Sequence, residues 1–259
     1  MNLYEAMFVR KSMRNYNMEA LEEKLLENIT SYIEQLKPYK SSIEYEMIIV
    51  DNTKEDEKFK GLFQVKAPYY LLISSELKQD YLINAGFLMQ QMILYLTARG
   101  IATCYQGGIK PNSELKSKLK YDYVIAIAFG RSEKSIYRSP EKAKRLSEDS
   151  LIVYKEEVSE NMKVIMQAAI LSPSSMNNQP WRFVVYHNRI HVFCKKARFL
   201  KFVISDMKLI DMGIVLANIS QATDELWLDV ISTKSEVFSN KDLKNTEYIT
   251  TVMLKEKVF

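Results

Sequence analysis

Residues 80–100, DYLINAGFLMQQMILYLTARG, predict a helix that is apolar on almost every face. Such a helix is expected at the centre of a fold, because a surface helix keeps one polar face. Gly100 is predicted to end it, since glycine readily adopts the left-handed backbone that closes helices. Residues 205–224, SDMKLIDMGIVLANISQATD, predict a second central helix. A chain of 259 residues with two such helices indicates two related units.

The segments around each central helix predict one further helix and several strands. In the first half, a helix over residues 21–36, with Asn17 as its cap, precedes the strand-like runs IEYEMIIV, APYYLLIS and YVIAIAFG. In the second half, a helix capped by Ser159 precedes RFVVY, IHVFC, LWLDVIS and EYITTVMLK. The predicted fold class is therefore α+β: two fused units, each with a mixed or antiparallel sheet flanked by helices around a central buried helix.

The two halves align roughly with each other. Pro38 falls opposite Pro173 and Gly86 opposite Gly213, which predicts a first unit at residues 1–154 and a second at residues 155–259. A chance likeness between two α+β segments is the alternative explanation. If the two halves are instead related, they would form a pseudo-dimer within one chain.

Composition excludes several classes of protein. Apolar residues make up 47% of the chain, which supports a folded core rather than disorder. No apolar run reaches the roughly 20 residues that span a bilayer, and the start lacks a secretory pattern, so a cytoplasmic protein is expected. The net charge of +4 is not gathered into a basic stripe, which favours a small anionic ligand over nucleic acid as the partner.

No metal site is predicted. Cys104 and Cys194 form no CxxC pair and suggest no disulfide framework. His187 and His191 flank a hairpin turn that the pattern places at Asn188-Arg189, which explains their spacing without a metal.

Three motifs bear chemistry. Arg10, Lys11, Ser12 and Arg14 concentrate three cations and a hydroxyl, the groups that bind a phosphate monoester, although basic residues before a helix are often only solvated. The run SPSSMNNQPW places short polar side chains between two prolines, which suits a ligand edge but equally a capped turn. Glycines in CYQGG allow the close approach of a ligand, or simply form a loop. Cys104 has no evident histidine partner, so no catalytic side chain is predicted.

Together the motifs resemble the nitroreductase family of FMN-dependent oxidoreductases. RKSMRNY is similar to that family's basic start, SPSSMNNQPW to its Pro-Ser-Ser-x-Asn-x-Gln-Pro-Trp loop, and TCYQGG to the segment after its central helix. The first half has KPYKSSIEYE where the loop is expected, and the second half has no basic run. The resemblance therefore implies a tandem-fused pseudo-dimer that keeps one flavin site and loses the other.

The resemblance also implies roles for individual residues. The basic run would hold the FMN phosphate and ribityl chain, the second-half loop would contact the ribityl and ring, the CYQGG segment would lie along the ring, and a later basic pair would add a phosphate contact. Lys66 is a weaker candidate near the ring, with a surface position as its alternative. The residues concerned are Arg10, Lys11, Ser12, Arg14, Tyr105, Gln106, Gly107, Gly108, Lys144, Arg145, Pro173, Ser174, Ser175 and Asn177.

The function implied by the resemblance is transfer of hydride from NADH or NADPH, through FMN, to an electron-poor acceptor such as a nitroaromatic or a quinone. Two alternatives stay open: a non-catalytic flavin-binding protein for cofactor storage or redox sensing, and a basic protein associated with nucleic acid. The expected partners are a small-molecule acceptor and the nicotinamide, with no membrane and no nucleic acid. A monomer would suffice, because the fused halves mimic the family dimer.

Overall fold

A computed structural model describes residues 1–54, 58–196, 203–239 and 245–256. Two long helices, α3 and α7, dominate the fold, and shorter helices surround them. The helices are α1 (Leu3–Val9), α2 (Glu23–Glu34), α3 (Tyr81–Ala98), α4 (Ser113–Ser117), α5 (Glu148–Leu151), α6 (Glu160–Ile170), α7 (Val203–Glu225) and α8 (Glu236–Ser239).

The strands form two main sheets and one small ribbon. They are β1 (Tyr45–Asp51), β2 (Phe59–Gly61), β3 (Tyr69–Ser75), β4 (Ala102–Gln106), β5 (Ile109–Pro111), β6 (Asp122–Gly130), β7 (Ile152–Tyr154), β8 (Trp181–Tyr186), β9 (Arg189–Lys195), β10 (Leu228–Thr233) and β11 (Thr246–Glu256). The ribbon pairs β2 with β5.

Both main sheets have the same order of strands relative to their central helix. The first sheet runs β1-β3-β6-β4 and the second runs β10-β11-β9-β8-β7. The four antiparallel strands of each half, counted in chain order, are β1, β3, β4 and β6 in the first sheet and β8, β9, β10 and β11 in the second. In both sheets they lie side by side in the order first, second, fourth, third. The central helix connects the second of these strands to the third. Strand β7 is an addition, because it pairs in parallel with β8 at the edge of the second sheet. The fold is therefore an α+β arrangement with one antiparallel main sheet and one mixed main sheet.

The two central helices cross where each has a glycine. A Cβ added to Gly86 would lie 2.1 Å from the carbonyl oxygen of Ile210, and one added to Gly213 would lie 2.0 Å from that of Ile83. Gly86 thus contacts Ile210, three residues before Gly213, and Gly213 contacts Ile83, three residues before Gly86. Only glycine permits this separation of the two backbones, because any side chain would overlap a carbonyl group.

A second contact is also made in both halves. It joins α3 to the loop after α2, and α7 to the loop after α6. Asn84 Oδ1 accepts a hydrogen bond from Lys40 N at 3.0 Å, two residues after Pro38. Asp211 Oδ1 accepts one from Ser175 N at 2.9 Å, two residues after Pro173. The two contacts occupy matching places in the two halves.

Several local predictions differ from the structure by a few residues. Helix α2 begins at Glu23 with Glu22 at its N-cap, so the prediction that Asn17 caps it is wrong. The backbone of Asn17 instead donates to Arg131 O, which holds it away from the helix. The hairpin turn lies one residue earlier than predicted, because Tyr186 pairs with Arg189 across it. The Ser159 cap is confirmed, since its side chain accepts from Met162 N.

The core surrounds the central helices. One apolar cluster joins α1, α3, α6 and α7 to the second sheet, and another joins α2 and α3 to the first sheet. Helix α3 is buried on almost all faces and ends before Gly100, which has a φ of +76°, as predicted. None of the helices in the described part of the chain has the length and apolar character needed to traverse a bilayer.

Candidate functional site

Backbone pairing brings two arginines from distant parts of the sequence together. Arg10 forms an antiparallel bridge with Tyr137, and Arg138 N donates to Val9 O at 2.8 Å. The following residues run beside β4, where Ser12 bridges Thr103 and Met13 N donates to Thr103 O at 2.9 Å. The basic run is therefore an extended segment packed against the edge of the first sheet.

Arg10 is a buried cation without an anionic partner. Its side chain is 4% exposed, and its Nε and Nη1 atoms have no hydrogen-bond partner in the described chain. Its Nη2 donates only to Ser12 Oγ, at 3.3 Å. Burial, and then the charges of Arg138 and Arg145, lower the pKa of Arg10 to about 10. Because a buried unpaired charge is costly, this pocket favours an anionic ligand.

Arg145 joins this cationic cluster to the second-half loop. Its Nη1 donates to Asn177 Oδ1 at 3.1 Å, and its Nε and Nη2 donate to the carbonyl groups of Ile170 and Leu171. Asn177 Nδ2 donates in return to Lys144 O at 3.0 Å. Burial, followed by the charge of Arg138, lowers the pKa of Arg145 to about 10. The structure thus brings the basic run and the serine-asparagine loop to one place through Arg145.

The loop itself has an unusual backbone. Met176, Asn177 and Gln179 have φ values of 50°, 57° and 47°, in the left-handed region that non-glycine residues seldom adopt. Hydrogen bonds maintain this shape, because Ser174 Oγ accepts from Gln179 N and Asp211 accepts from Ser175 N. Pro173 is buried, and Trp181 behind the loop is fully buried in the core. Strain of this kind clusters at functional sites, where surrounding contacts stabilise it.

Tyr105 begins a polar chain that crosses the protein interior. Its hydroxyl donates to Gln90 Oε1 at 3.2 Å, Gln90 Nε2 donates to Asn218 Oδ1 at 2.8 Å, and Asn218 Nδ2 donates to Ala168 O at 3.0 Å. The chain joins β4, α3, α7 and α6. Burial raises the pKa of Tyr105 well above its ordinary value, while Arg10 lowers it and Asp211 raises it. Tyr105 therefore lies within electrostatic range of both halves of the site.

The glycine pair after β4 has contacts within the chain. Gln106 Oε1 accepts from Val65 N at 2.9 Å, and a Cβ on Gly108 would lie 2.6 Å from Leu62 O. A Cβ on Gly107 would lie 2.6 Å from Met207 Sδ. Gly108 is thus required by its close approach to a backbone carbonyl group after β2, whereas the flexible end of Met207 could move to accommodate a Cβ on Gly107. Their contact with a ligand stays a prediction.

The remaining predicted residues border this cluster. Lys11 and Ser12 are half-buried, whereas Arg14 and Lys144 are exposed. The charge of Arg14 acts on Cys104, whose pKa is raised mainly by burial. Both cysteines are free and buried. No group of three potential metal ligands occurs in the described residues.

Sequence patterns missed four polar residues of this region: Arg138, Gln90, Asn218 and Asp211. Arg138 lies in an irregular segment without a recognisable motif, and only backbone pairing brings it beside Arg10. The other three are buried polar residues within apolar helices. A polar residue within an apolar helical stretch could have identified them from the sequence, because a buried polar group requires a hydrogen-bond partner.

Comparisons with known proteins agree with this fold. A family model described as "Putative TM nitroreductase" matches residues 2–223. A Thermotoga maritima crystal structure described as a "putative nitroreductase" is 20% identical, covers 98% of this chain and 94% of its own, and has a TM-score of 0.66. A nitroreductase with bound FMN from Desulfitobacterium hafniense DCB-2 is 17% identical, covers 60% and 100%, and has a TM-score of 0.44. No curated protein matches the chain.

The chain belongs to the nitroreductase family, because the family model covers most of its length.

Proposed function

We propose that the protein is an FMN-dependent oxidoreductase that passes electrons from NADH or NADPH to an electron-poor acceptor such as a nitroaromatic or a quinone. The observation that carries the proposal is the buried guanidinium of Arg10, which has unpaired Nε and Nη1 atoms beside Arg138 and Arg145. Three neighbouring cations, with no ion pair among the residues that the structure describes, form a site for a phosphate group.

The residues present fit FMN in both charge and donor type. A phosphate monoester has about −1.5 to −2 charges at neutral pH, enough to offset the repulsion within the arginine cluster. Arg10 offers two free donor atoms and Arg138 offers its buried Nε. Ser12, Ser174 and Ser175 supply shorter polar groups on the basic run and on the loop, suited to a hydroxylated chain.

When bound, FMN supplies the redox chemistry, accepting hydride at its ring and passing electrons to the acceptor. The chain's own residues bind and orient it. Arg10 and Arg138 neutralise the phosphate, and Arg145 and Asn177 fix the loop against the basic run through their 3.1 Å hydrogen bond. Tyr105, whose hydroxyl donates to Gln90 Oε1, would fix the position of β4 beside Arg10.

We also propose that residues 1–154 and 155–259 are fused units that act as a single-chain pseudo-dimer with one flavin site. The matching strand orders and the reciprocal glycine contacts support this. At the matching place in the other half, Tyr39 follows Pro38, and the side chains of Thr250 and Ser232 face its hydroxyl. The half-buried Tyr39 thus stands where the other half has Ser174 after its proline. We propose a monomer, because the fused halves would supply the contacts of a dimer within one chain. We also propose that it acts in the cytoplasm.

The test begins with the visible absorption spectrum of freshly purified protein. A flavin spectrum, with FMN identified after release by denaturation, is the expected result. Protein that is colourless and does not bind added FMN would contradict the proposal.

Steady-state oxidation of NADH and NADPH, with a quinone and then a nitroaromatic as acceptor, tests the activity itself. Turnover with either nicotinamide supports an oxidoreductase. Stoichiometric FMN without turnover would instead indicate cofactor storage or redox sensing.

A further inference from the structure

One buried position makes the same contact in both halves but has a different residue in each. Asn84 on α3 and Asp211 on α7 each lie two residues before the glycine at the helix crossing, and each accepts a hydrogen bond from a loop backbone N–H. Both side chains are buried, at 1% and 3% exposure. An amide therefore suffices for this anchoring role, as Asn84 demonstrates.

A carboxyl at this position is costly when ionised. Ser175 N approaches both carboxylate oxygens of Asp211, at 2.9 Å and 3.2 Å, and is the one hydrogen-bond donor recorded for them in the described chain. An ionised carboxylate has about four acceptor sites, so a single donor leaves it poorly satisfied. Burial raises the pKa of Asp211 to about 8, although Ser175 and Lys208 both lower it.

Asp211 lies in the half that contributes the serine loop, and the site is within range of its charge. Tyr105 on β4 is influenced by both Asp211 and Arg10. Besides Tyr105, the titratable groups that interact with Asp211 are Lys208 on its own helix and Cys194 on β9. None of the three provides a close counter-ion, because Asp211 has no recorded ion pair in the described residues.

We propose that Asp211 is a positioning residue that couples ligand binding to proton uptake: its neutral form favours an anion at the arginine cluster, and its ionisation weakens binding. This inference rests on the proposed function, since the anion is taken to be FMN. An ionised Asp211 places a negative charge behind Ser175, on the same loop that reaches Arg145 through Asn177. A bound anion repels that charge, so anion binding and protonation of the carboxyl reinforce each other.

The direction of the pH dependence follows from linkage. Below pH 8 the carboxyl is already neutral in the free protein, so its contribution to affinity is constant. Above pH 8 binding must first restore the proton, and the affinity falls by up to about tenfold per pH unit. The FMN phosphate titrates near pH 6, outside this window.

The experiment measures the dissociation constant of FMN for apo-protein at pH 7 and pH 9, from the quenching of flavin fluorescence. The variants are Asp211→Asn, which keeps the acceptor for Ser175 N, and Asn84→Asp, the mirror-image control. The wild-type affinity is expected to weaken about fivefold to tenfold between these values, and that of Asp211→Asn less than about twofold. Asn84→Asp should keep the wild-type pH dependence, because its carboxyl lies at the other loop.

A ligand-free readout accompanies the binding measurement. Asp211→Asn should raise the melting temperature of the apo-protein more at pH 9 than at pH 6. The carboxyl is ionised in the unfolded chain at both values, and the destabilisation caused by its raised folded pKa grows with pH until the folded pKa of about 8 is passed. Equal pH dependence of FMN binding in wild type and Asp211→Asn would overturn the inference and leave the proposed function intact. No FMN binding at either pH would overturn both.

Discussion

Replacing Arg10 by methionine should stabilise the free protein while weakening its ligand binding. Methionine keeps the length and apolar character of the arginine stem but removes the buried charge. Arg10 is 4% exposed, its Nε and Nη1 atoms have no partner among the described residues, and the charges of Arg138 and Arg145 repel its guanidinium. Its removal relieves a burial penalty that the hydrogen bond to Ser12 Oγ offsets only in part.

The magnitude follows from the depressed pKa of Arg10, which falls from 12.5 to about 10. A difference of this size corresponds to roughly 3 kcal/mol favouring the unfolded state while the group is charged. The penalty is fully present at pH 7, because the group is protonated in both states, and it declines as the pH rises from about 10. After allowing for altered packing, we expect Arg10→Met to raise the free energy of unfolding by about 1–3 kcal/mol.

The assay is thermal and urea unfolding of apo-protein in a buffer free of phosphate and sulfate, with FMN titration in parallel. A gain of about 1–3 kcal/mol corresponds to a melting temperature higher by roughly 2–12 °C. The loss of charged hydrogen bonds to phosphate, about 1.5–3 kcal/mol, should weaken FMN binding about tenfold to 150-fold. Inorganic phosphate should stabilise the wild type more than the variant.

The matched control is Arg131→Met, which removes an exposed arginine paired with Glu22. It should change neither FMN affinity nor the response to phosphate, since exposed ion pairs contribute little. A destabilised Arg10→Met protein with unaltered FMN affinity would refute the reasoning, because the charge would then be a structural element rather than a ligand site.

Three other predictions concern the helix crossing, the interior polar chain and the number of sites. Gly86→Ala should destabilise the protein by more than about 3 kcal/mol or prevent folding, because its Cβ would lie 2.1 Å from Ile210 O. The control is Gly100→Ala, whose Cβ would have its nearest neighbour at 3.9 Å. It should lower the free energy of unfolding, measured in urea, by about 1 kcal/mol. Gln90→Leu should lower the free energy of unfolding by about 2–4 kcal/mol, because Tyr105 and Asn218 would both lose their hydrogen bond to Gln90. In a double-mutant cycle, adding Asn218→Leu should recover part of that loss. Calorimetric titration of apo-protein should give one FMN per chain, and a value of two would contradict the single-site pseudo-dimer.

Much of the fold was predictable because it depends on local periodicity. The all-round apolar pattern of residues 80–100 predicted a buried helix, and the β-branched runs predicted strands close to their observed bounds. Boundaries set by long-range contacts were less accurate. Asn17 was expected to cap α2, but Arg131, more than a hundred residues away, accepts from its backbone.

The sequence by itself determined the two central helices, the stiff polar loop and the basic run, since each depends on residue types that are close together in the chain. Only the tertiary structure decided which charges meet. Arg138 reaches Arg10 through backbone pairing, and Arg145 reaches Asn177 across 32 positions. It also revealed that Asn84 and Asp211 make the same contact, because burial and hydrogen-bond partners depend on packing between segments that are distant in sequence.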